Sequence, residues 1–163
     1  MITFALPGGR FTYRAVAVLV HEEHVLLHRA GRGEFWSLPG GRCELFETAA
    51  TAVRRELREE LGTNVTVERL LWVVENFFVL DVPHHELGLY YLVSLPPESG
   101  LLDVSATFAG QEEHVPLIFR WFPVTDLAEL PLYPVFLRVA LQSIPDTIQH
   151  IIDRDNRLED GSS

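Results

Sequence analysis

The residues best suited to chemistry stand in the stretch AVRRELREELG: Glu56, Glu59 and Glu60, three and four positions apart. On a helix, at roughly 100° per residue, they fall within one narrow sector and share a face. Like charges at these spacings weaken a helix slightly. Arg54 and Arg58 point to the other side, so a cation from outside the helix is implied. An oxygen-only cluster suits a hard divalent ion, Mg²⁺ with Mn²⁺ as a substitute, and Mg²⁺ completes its hydrated shell with substrate phosphates. The bland alternative is a solvated acidic face.

The elements that must position these carboxylates can be read around them. Residues 49–61 are mostly strong helix formers, Thr48 is a natural N-cap and Gly62 a natural left-handed stop. Ala50, Val53, Leu57 and Leu61 make an apolar stripe beside the acidic sector, which therefore lies at the edge of the buried face. Upstream, Leu38, Pro39, Gly40 and Gly41 close a glycine-rich segment, and two successive glycines let the backbone approach a ligand.

Gly41, Glu47, Arg55, Glu56, Glu59, Glu60 and Gly62, at their spacings, resemble the signature box of the Nudix hydrolases. At about 5 to 7% usage per residue type, seven such identities coincide at a given start with a chance on the order of 10⁻⁹. The Leu-Pro-Gly-Gly run before the box is similar too. One position departs, since Thr63 stands where an aliphatic residue is usual, which bears on packing after the helix. The resemblance implies a Mg²⁺-dependent hydrolase of a nucleoside diphosphate linked to another group, in the nucleoside triphosphate or nucleotide sugar class. It makes Glu56, Glu59 and Glu60 the metal-binding carboxylates, one of them a general base through water. Gly41 or its neighbour Gly40 would supply a carbonyl ligand, and Glu47 and Arg55 would brace loop and helix. A further catalytic glutamate is implied from a later loop, either Glu112 or Glu113. Diphosphate hydrolysis needs phosphate charge neutralised and a water activated near neutral pH, which metal and carboxylates together supply. The rival class is a Nudix domain that senses a nucleotide without cleaving it.

Bulk properties bound the rest. A chain of 163 residues with 47% hydrophobic residues fits one domain, expected over residues 1–153, with a frayed polar tail over 154–163. A net charge of -10 argues against non-specific binding to nucleic acid or anionic membrane. It leaves a small nucleotide substrate open, because bound metal inverts the local field. Cys43 is the single cysteine, so no internal disulfide can form and a reducing cytoplasm is the simplest home. No stretch has the length needed to cross a bilayer, and a monomer or homodimer is expected.

Along the chain, Tyr13 to His21 and Val25 to Arg29 read as a hairpin, while Met1 to Gly9 carries no clear signal. Arg29 is a candidate phosphate contact or a strand-end ion pair, and Trp36 a candidate base-stacking ring or a core residue. Asn64 to Leu80 reads as one long strand or two bent ones, followed by a turn and an antiparallel strand over His85 to Leu95. Glu75, Asn76, His85 and Glu86 are polar groups in apolar context that could reach a site. Pro96 to Gly110 reads as a mobile flap, Val115 to Phe122 as a strand, and Val124 to Leu130 as a helical turn capped by Thr125. Leu132 to Ser143 reads as an amphipathic helix with Val135, Phe136 and Val139 inward. The expected fold is an α/β/α sandwich, a mixed, curved sheet between the box helix and the C-terminal helix, similar to Nudix proteins.

Overall fold

The structure, a computed structural model, describes residues 1–114, 116–155 and 158. Its strands are β1 (Thr3–Leu6), β2 (Gly9–His21), β3 (His24–Ala30), β4 (Gly40–Arg42), β5 (Thr66–Val79), β6 (Pro83–Ser94), β7 (Thr107–Ala109), β8 (Leu117–Pro123) and β9 (Gln149–Arg154). Helix α1 spans Ala49–Leu61 and the short helix α2 spans Leu137–Ala140.

The frame is β2. Its run Ala15 to Leu19 is buried on both sides, because alternate side chains enter different cores. Ala15, Ala17 and Leu19 face α1 with Ala52, Val53 and Leu57. Val16 and Val18 face the C-terminal layer with Leu127, Leu137 and Leu141. Around this strand the sheet runs β7-β8-β3-β2-β6-β5-β9, with β1 and β4 also paired to β2. It is mixed: β2 with β6 and β5 with β9 are parallel, and the other pairs are antiparallel.

One detail of this sheet positions the site. The hairpin expected from Tyr13 to Arg29 forms, with Val20 opposite Val25 and His21 opposite His24. Below that end a segment from the glycine-rich stretch is wedged between the two strands. Ser37 and His28 exchange backbone hydrogen bonds of 2.9 Å, and the Ala17 amide donates to the Pro39 carbonyl at 2.8 Å. On the β2 side β4 pairs Gly40 with Val16 and Gly41 with Ala15. Gly40, at φ 153°, is required there: a Cβ would meet the Ala15 carbonyl and Val16 backbone.

Several expectations need correction. The N-terminal stretch forms β1, paired to β2 from Thr3 opposite Thr12 to Leu6 opposite Gly9. Of the two alternatives for Asn64 to Leu80, residues 66–79 make one strand, β5, with register shifts after Val67 and Leu70. The loop taken for a flap is fastened instead. Leu101, Leu102, Val104 and Phe108 pack on the core, Trp121 Nε1 donates to the Leu101 carbonyl at 2.8 Å, and β7 pairs with β8. The turn Val124–Glu129 is 3₁₀, preceded by Pro123, with no side-chain cap from Thr125.

The C-terminal helix shrinks to α2. Pro131 and Pro134 interrupt the expected segment, since proline donates no amide bond and disfavours helix at the residue before it. The turn entering α2 is tightly wound, with bonds from Leu137 to Pro134 and Arg138 to Val135. Its buried side is therefore Leu137 and Leu141, with Phe136 packed partly against the core, while Val135 and Val139 are exposed. Downstream, β9 takes residues 149–154 into the sheet, so Ile151 docks and Arg154, assigned to the tail, ends a strand. Of the stretch assigned to that tail, residues 156, 157 and 159–163 lie outside the described residues, as does Val115 of the expected strand before Phe122. Among the described residues no helix is long and apolar enough to cross a membrane.

Candidate active site

Helix α1 begins and ends as its sequence dictates. Thr48 Oγ1 accepts from the Thr51 amide at 3.2 Å, and Gly62 takes the left-handed conformation at φ 65° while its amide bonds to the Arg58 carbonyl. Ala52, Val53 and Leu57 anchor one side in the core. Thr63, the residue departing from the box pattern, is buried all the same.

The three glutamates descend from surface to interior along this helix. Glu59 is nearly half exposed, Glu56 mostly covered, and Glu60 only 5% exposed. Glu60 Oε2 is buried without a hydrogen-bond partner. An unpaired buried carboxylate oxygen costs several kcal/mol if charged, so burial, with Glu56 adding to it, pushes the Glu60 carboxyl up to about 8; Arg14 opposes the shift. Burial also raises Glu56, against the hydrogen bond from Arg55. Gly41 abuts this carboxylate so closely that a Cβ on it would overlap Glu56.

Arg55 revises the inference that the counter-charge comes from outside the helix. Its guanidinium forks onto Glu47 at 2.9 and 3.0 Å, and also reaches Glu56 at 2.7 Å, Glu59 at 3.4 Å and the Arg42 carbonyl at 3.1 Å. That contact set clamps the turn before α1 to the helix and to β4, the bracing role expected of Glu47 and Arg55, and it holds Glu47 below its usual carboxyl range. Glu56 and Glu59 thus have a cation already, whereas among the described residues Glu60 has none within bonding distance. Among the described residues no three acidic, histidine or cysteine side chains converge on one point. The fit to a divalent ion rests on the orphaned Glu60 oxygen beside Glu56, and on the space that Gly41 leaves at that carboxylate.

The loop after β7 is tied to the same end of α1. The Gln111 amide donates to the Glu60 carbonyl at 2.7 Å, and the Gln111 side chain lies against Gly62. Glu112 is thereby near enough for its charge to raise Glu60.

The remaining candidates divide. Arg29 is turned to its own loop, donating to the Gly33 carbonyl at 2.9 Å with its guanidinium over the Trp36 ring. Trp36 is buried, packed edge to face on Phe122, and forms one wall of a cleft of about 930 Å³ between the sheet and the C-terminal layer. Glu75 stands outside that cleft, its carboxylate 2.7 Å from His150 Nε2. Its neighbour Asn76 and the cross-strand Glu86 line the cleft in its place. Strand alternation sends adjacent residues to opposite faces, and which face is occupied follows from register, which the sequence does not declare.

Arg14 escaped the sequence reading altogether. It lines the cleft, and its charge acts on Glu56, Glu60 and Tyr90, so it links cleft to carboxylates. The available signal was an arginine one place before an otherwise apolar strand run. Cys43 is fully buried, and burial together with Glu47 raises its thiol to about 11, which leaves it inert at neutral pH.

The NUDIX domain model matches residues 11–142. The chain belongs to the Nudix family. A Proteus vulgaris 8-oxo-dGTP diphosphatase is 48% identical over 63 residues, 38% of this chain and 53% of that protein. A Bacillus subtilis protein provisionally named an ADP-ribose pyrophosphatase is 32% identical over 101 residues, 59% of this chain and 49% of that protein. The chain therefore spans about half the length of these two curated relatives. A MutT Nudix hydrolase from Burkholderia pseudomallei superposes with a TM-score of 0.60 and 28% identity, covering 83% of this chain and 98% of that one. The resemblance read from the box residues thus holds, and the α/β architecture with it.

Proposed function

We propose that this Nudix protein hydrolyses a phosphoanhydride bond in a nucleoside diphosphate linked to another group, with Mg²⁺ as its metal. The observation that carries the reading is Glu60, a buried carboxylate with an unpartnered oxygen beside Glu56 and within electrostatic reach of Arg14, which lines the cleft. Such a group is stable when something cationic occupies its open side.

Glu56, Glu59 and Glu60 would hold the ion, with the Gly41 or Gly40 carbonyl completing the protein ligands. When bound, a divalent ion there neutralises phosphate charge and lowers the pKa of water. Arg55 keeps Glu56 and Glu59 oriented and yields the contact on the open side. Arg14 meets the phosphate entering from the cleft. Glu112, held near Glu60 by the Gln111 anchor, accepts a proton from the attacking water. The cleft walls exclude water from the nucleoside side. The relatives named for 8-oxo-dGTP and ADP-ribose support a nucleotide substrate of this class.

The test is a panel of nucleoside triphosphates, nucleotide sugars and ADP-ribose, assayed for released phosphate, pyrophosphate or nucleoside monophosphate, with Mg²⁺ and with chelator. Turnover of at least one compound that chelator abolishes is expected. Thermal stabilisation by nucleotides without product would mean a sensor, and no response to any would overturn the reading.

A further inference from the structure

The cleft floor carries polar groups that the hydrolytic reading leaves without a task. Asn76 on β5 and Glu86 on β6 are directly opposed across the strands, and both line the cleft. Asn76 is 92% covered, yet its amide makes no hydrogen bond among the described residues and is not sealed from solvent, so it opens onto the cleft. The Glu86 carboxylate likewise has no hydrogen bond or ion pair there. A polar group as deep as Asn76 is normally satisfied, and a recess where it converges with the half-buried Glu86 among apolar walls is how ligand sites are built.

The chemistry of this pair is specific. A carboxylate is acceptor-only, and an amide offers two donors and one acceptor. Asp153, also lining the cleft, has one oxygen engaged by the Phe136 amide at 3.0 Å and adds a second acceptor. The floor therefore favours a planar edge with two adjacent N–H donors flanked by a carbonyl. Guanine offers N1–H and N2–H₂ beside O6, whereas adenine and cytosine place a ring acceptor next to their amino group and clash with a carboxylate. At the rim Phe35 and Tyr133 stand edge to face, 5.2 Å between centroids and 57% and 44% exposed, with the Arg138 guanidinium over the Tyr133 ring. A stacked base would cover them. Arg14, also lining the cleft, marks the phosphate end: it pairs in register with Gly88, two residues along β6 from Glu86.

From this geometry we infer that the cleft reads a guanine base, with Glu86 accepting from N1–H and N2–H₂ and Asn76 donating to O6. This rests on the reading of the cleft as the nucleotide site, and it names the base that the site selects.

Binding without metal separates the two. Thermal shifts with GMP, AMP, CMP and UMP, in the presence of chelator, report recognition without hydrolysis. GMP should stabilise the wild-type protein most. In Glu86→Gln the advantage of GMP over AMP should collapse, as one charged hydrogen-bond pair converts to roughly a 10- to 100-fold loss of affinity. Glu86→Asp should restore part of it, and the melting of each unliganded variant shows that it folds. Should Mg²⁺-dependent turnover be found, the guanine-to-adenine ratio of kcat/KM should fall towards one in Glu86→Gln, mainly through KM. Equal stabilisation by all four nucleotides would overturn the inference. So would a preference for GMP untouched by Glu86→Gln, or an equal loss for every base, which would put the carboxylate on the sugar. Guanine selectivity in binding with no hydrolysis would instead contradict the proposed reaction and leave the base assignment standing.

Discussion

A helix can carry three glutamates on one face because each sits in a different environment, two clasped by Arg55 and one buried. Glu60 shows what this costs. Its carboxyl is raised from 4.5 to about 8, so between those values the folded chain holds a proton that the unfolded chain releases. The contribution of Glu60 to the stability of the metal-free protein is then full below 4.5 and is lost as pH rises towards 8. Glu60→Gln should remove that decline, leaving the metal-free variant the more stable protein at pH 8 to 9 while Mg²⁺-dependent turnover disappears. Chemical denaturation in chelator at pH 5 and pH 9, beside an activity assay, checks both halves; a variant that is less stable at both pH values would contradict this role for Glu60. Gly41 makes a complementary case. Gly41→Ala places a methyl on the Glu56 carboxylate, so turnover should fall at least about 10-fold with the far-ultraviolet circular dichroism spectrum unchanged.

Elements hold these residues through one helix, one clamp and one fork in the sheet. Leu57 is fully buried under α1, and Leu57→Ala should lose about 2 to 5 kcal/mol in urea unfolding, the usual penalty for emptying a core site. The turn that Arg55 clamps carries Phe46, almost wholly exposed at φ 65°. A left-handed aromatic residue costs about 1 to 2 kcal/mol. Phe46→Gly should therefore stabilise the protein, by about 1 kcal/mol after the entropy of glycine is counted; destabilisation would mean the ring makes contacts that outweigh the strain. The bounds of helix α1 were legible in the sequence, because its cap and stop are local signals, and so was most of its buried side, where Ala49 and Ala52 take the place expected of Ala50. The wedge of residues 37–42 between β2 and β3 was not, since pairing between distant strands leaves no periodic trace. Nor was the short α2, where hydrophobic spacing suggested a longer helix and two prolines prevailed.

At the scale of the whole molecule, the sheet divides its polar groups between a carboxylate end under α1 and a cleft under the C-terminal layer, and Arg14 belongs to the boundary. The first set was legible in the sequence because its spacing is local. The second was legible only as a set of candidates: of Glu75, Asn76, His85 and Glu86, the structure brings Asn76 and Glu86 to the cleft and leaves Glu75 and His85 out of its lining, because register decides the face. The same sheet buries His28 on β3, and its ring is held down from 6.5 to about 3 by burial, with Arg14 adding to the effect. Its folded value lies below the unfolded one, so its contribution is complete above 6.5 and is lost as pH falls towards 3. Stability should accordingly drop by a few kcal/mol across that window, at roughly 1.4 kcal/mol per pH unit at most for one group. Urea midpoints between pH 7 and pH 4 should fall less steeply in His28→Leu; parallel curves would remove His28 from the explanation.

The central claim is that a divalent ion sits at the α1 carboxylates and depends on Glu60. Titrating the wild-type protein and Glu60→Gln with Mn²⁺, and following the free-ion electron paramagnetic resonance signal, tests it most directly. The wild type should take up the ion saturably and release it to Mg²⁺, and uptake should be at least about 10-fold weaker in the variant, in keeping with the loss of one carboxylate ligand. Equal uptake by both proteins, or none by either, would contradict the claim.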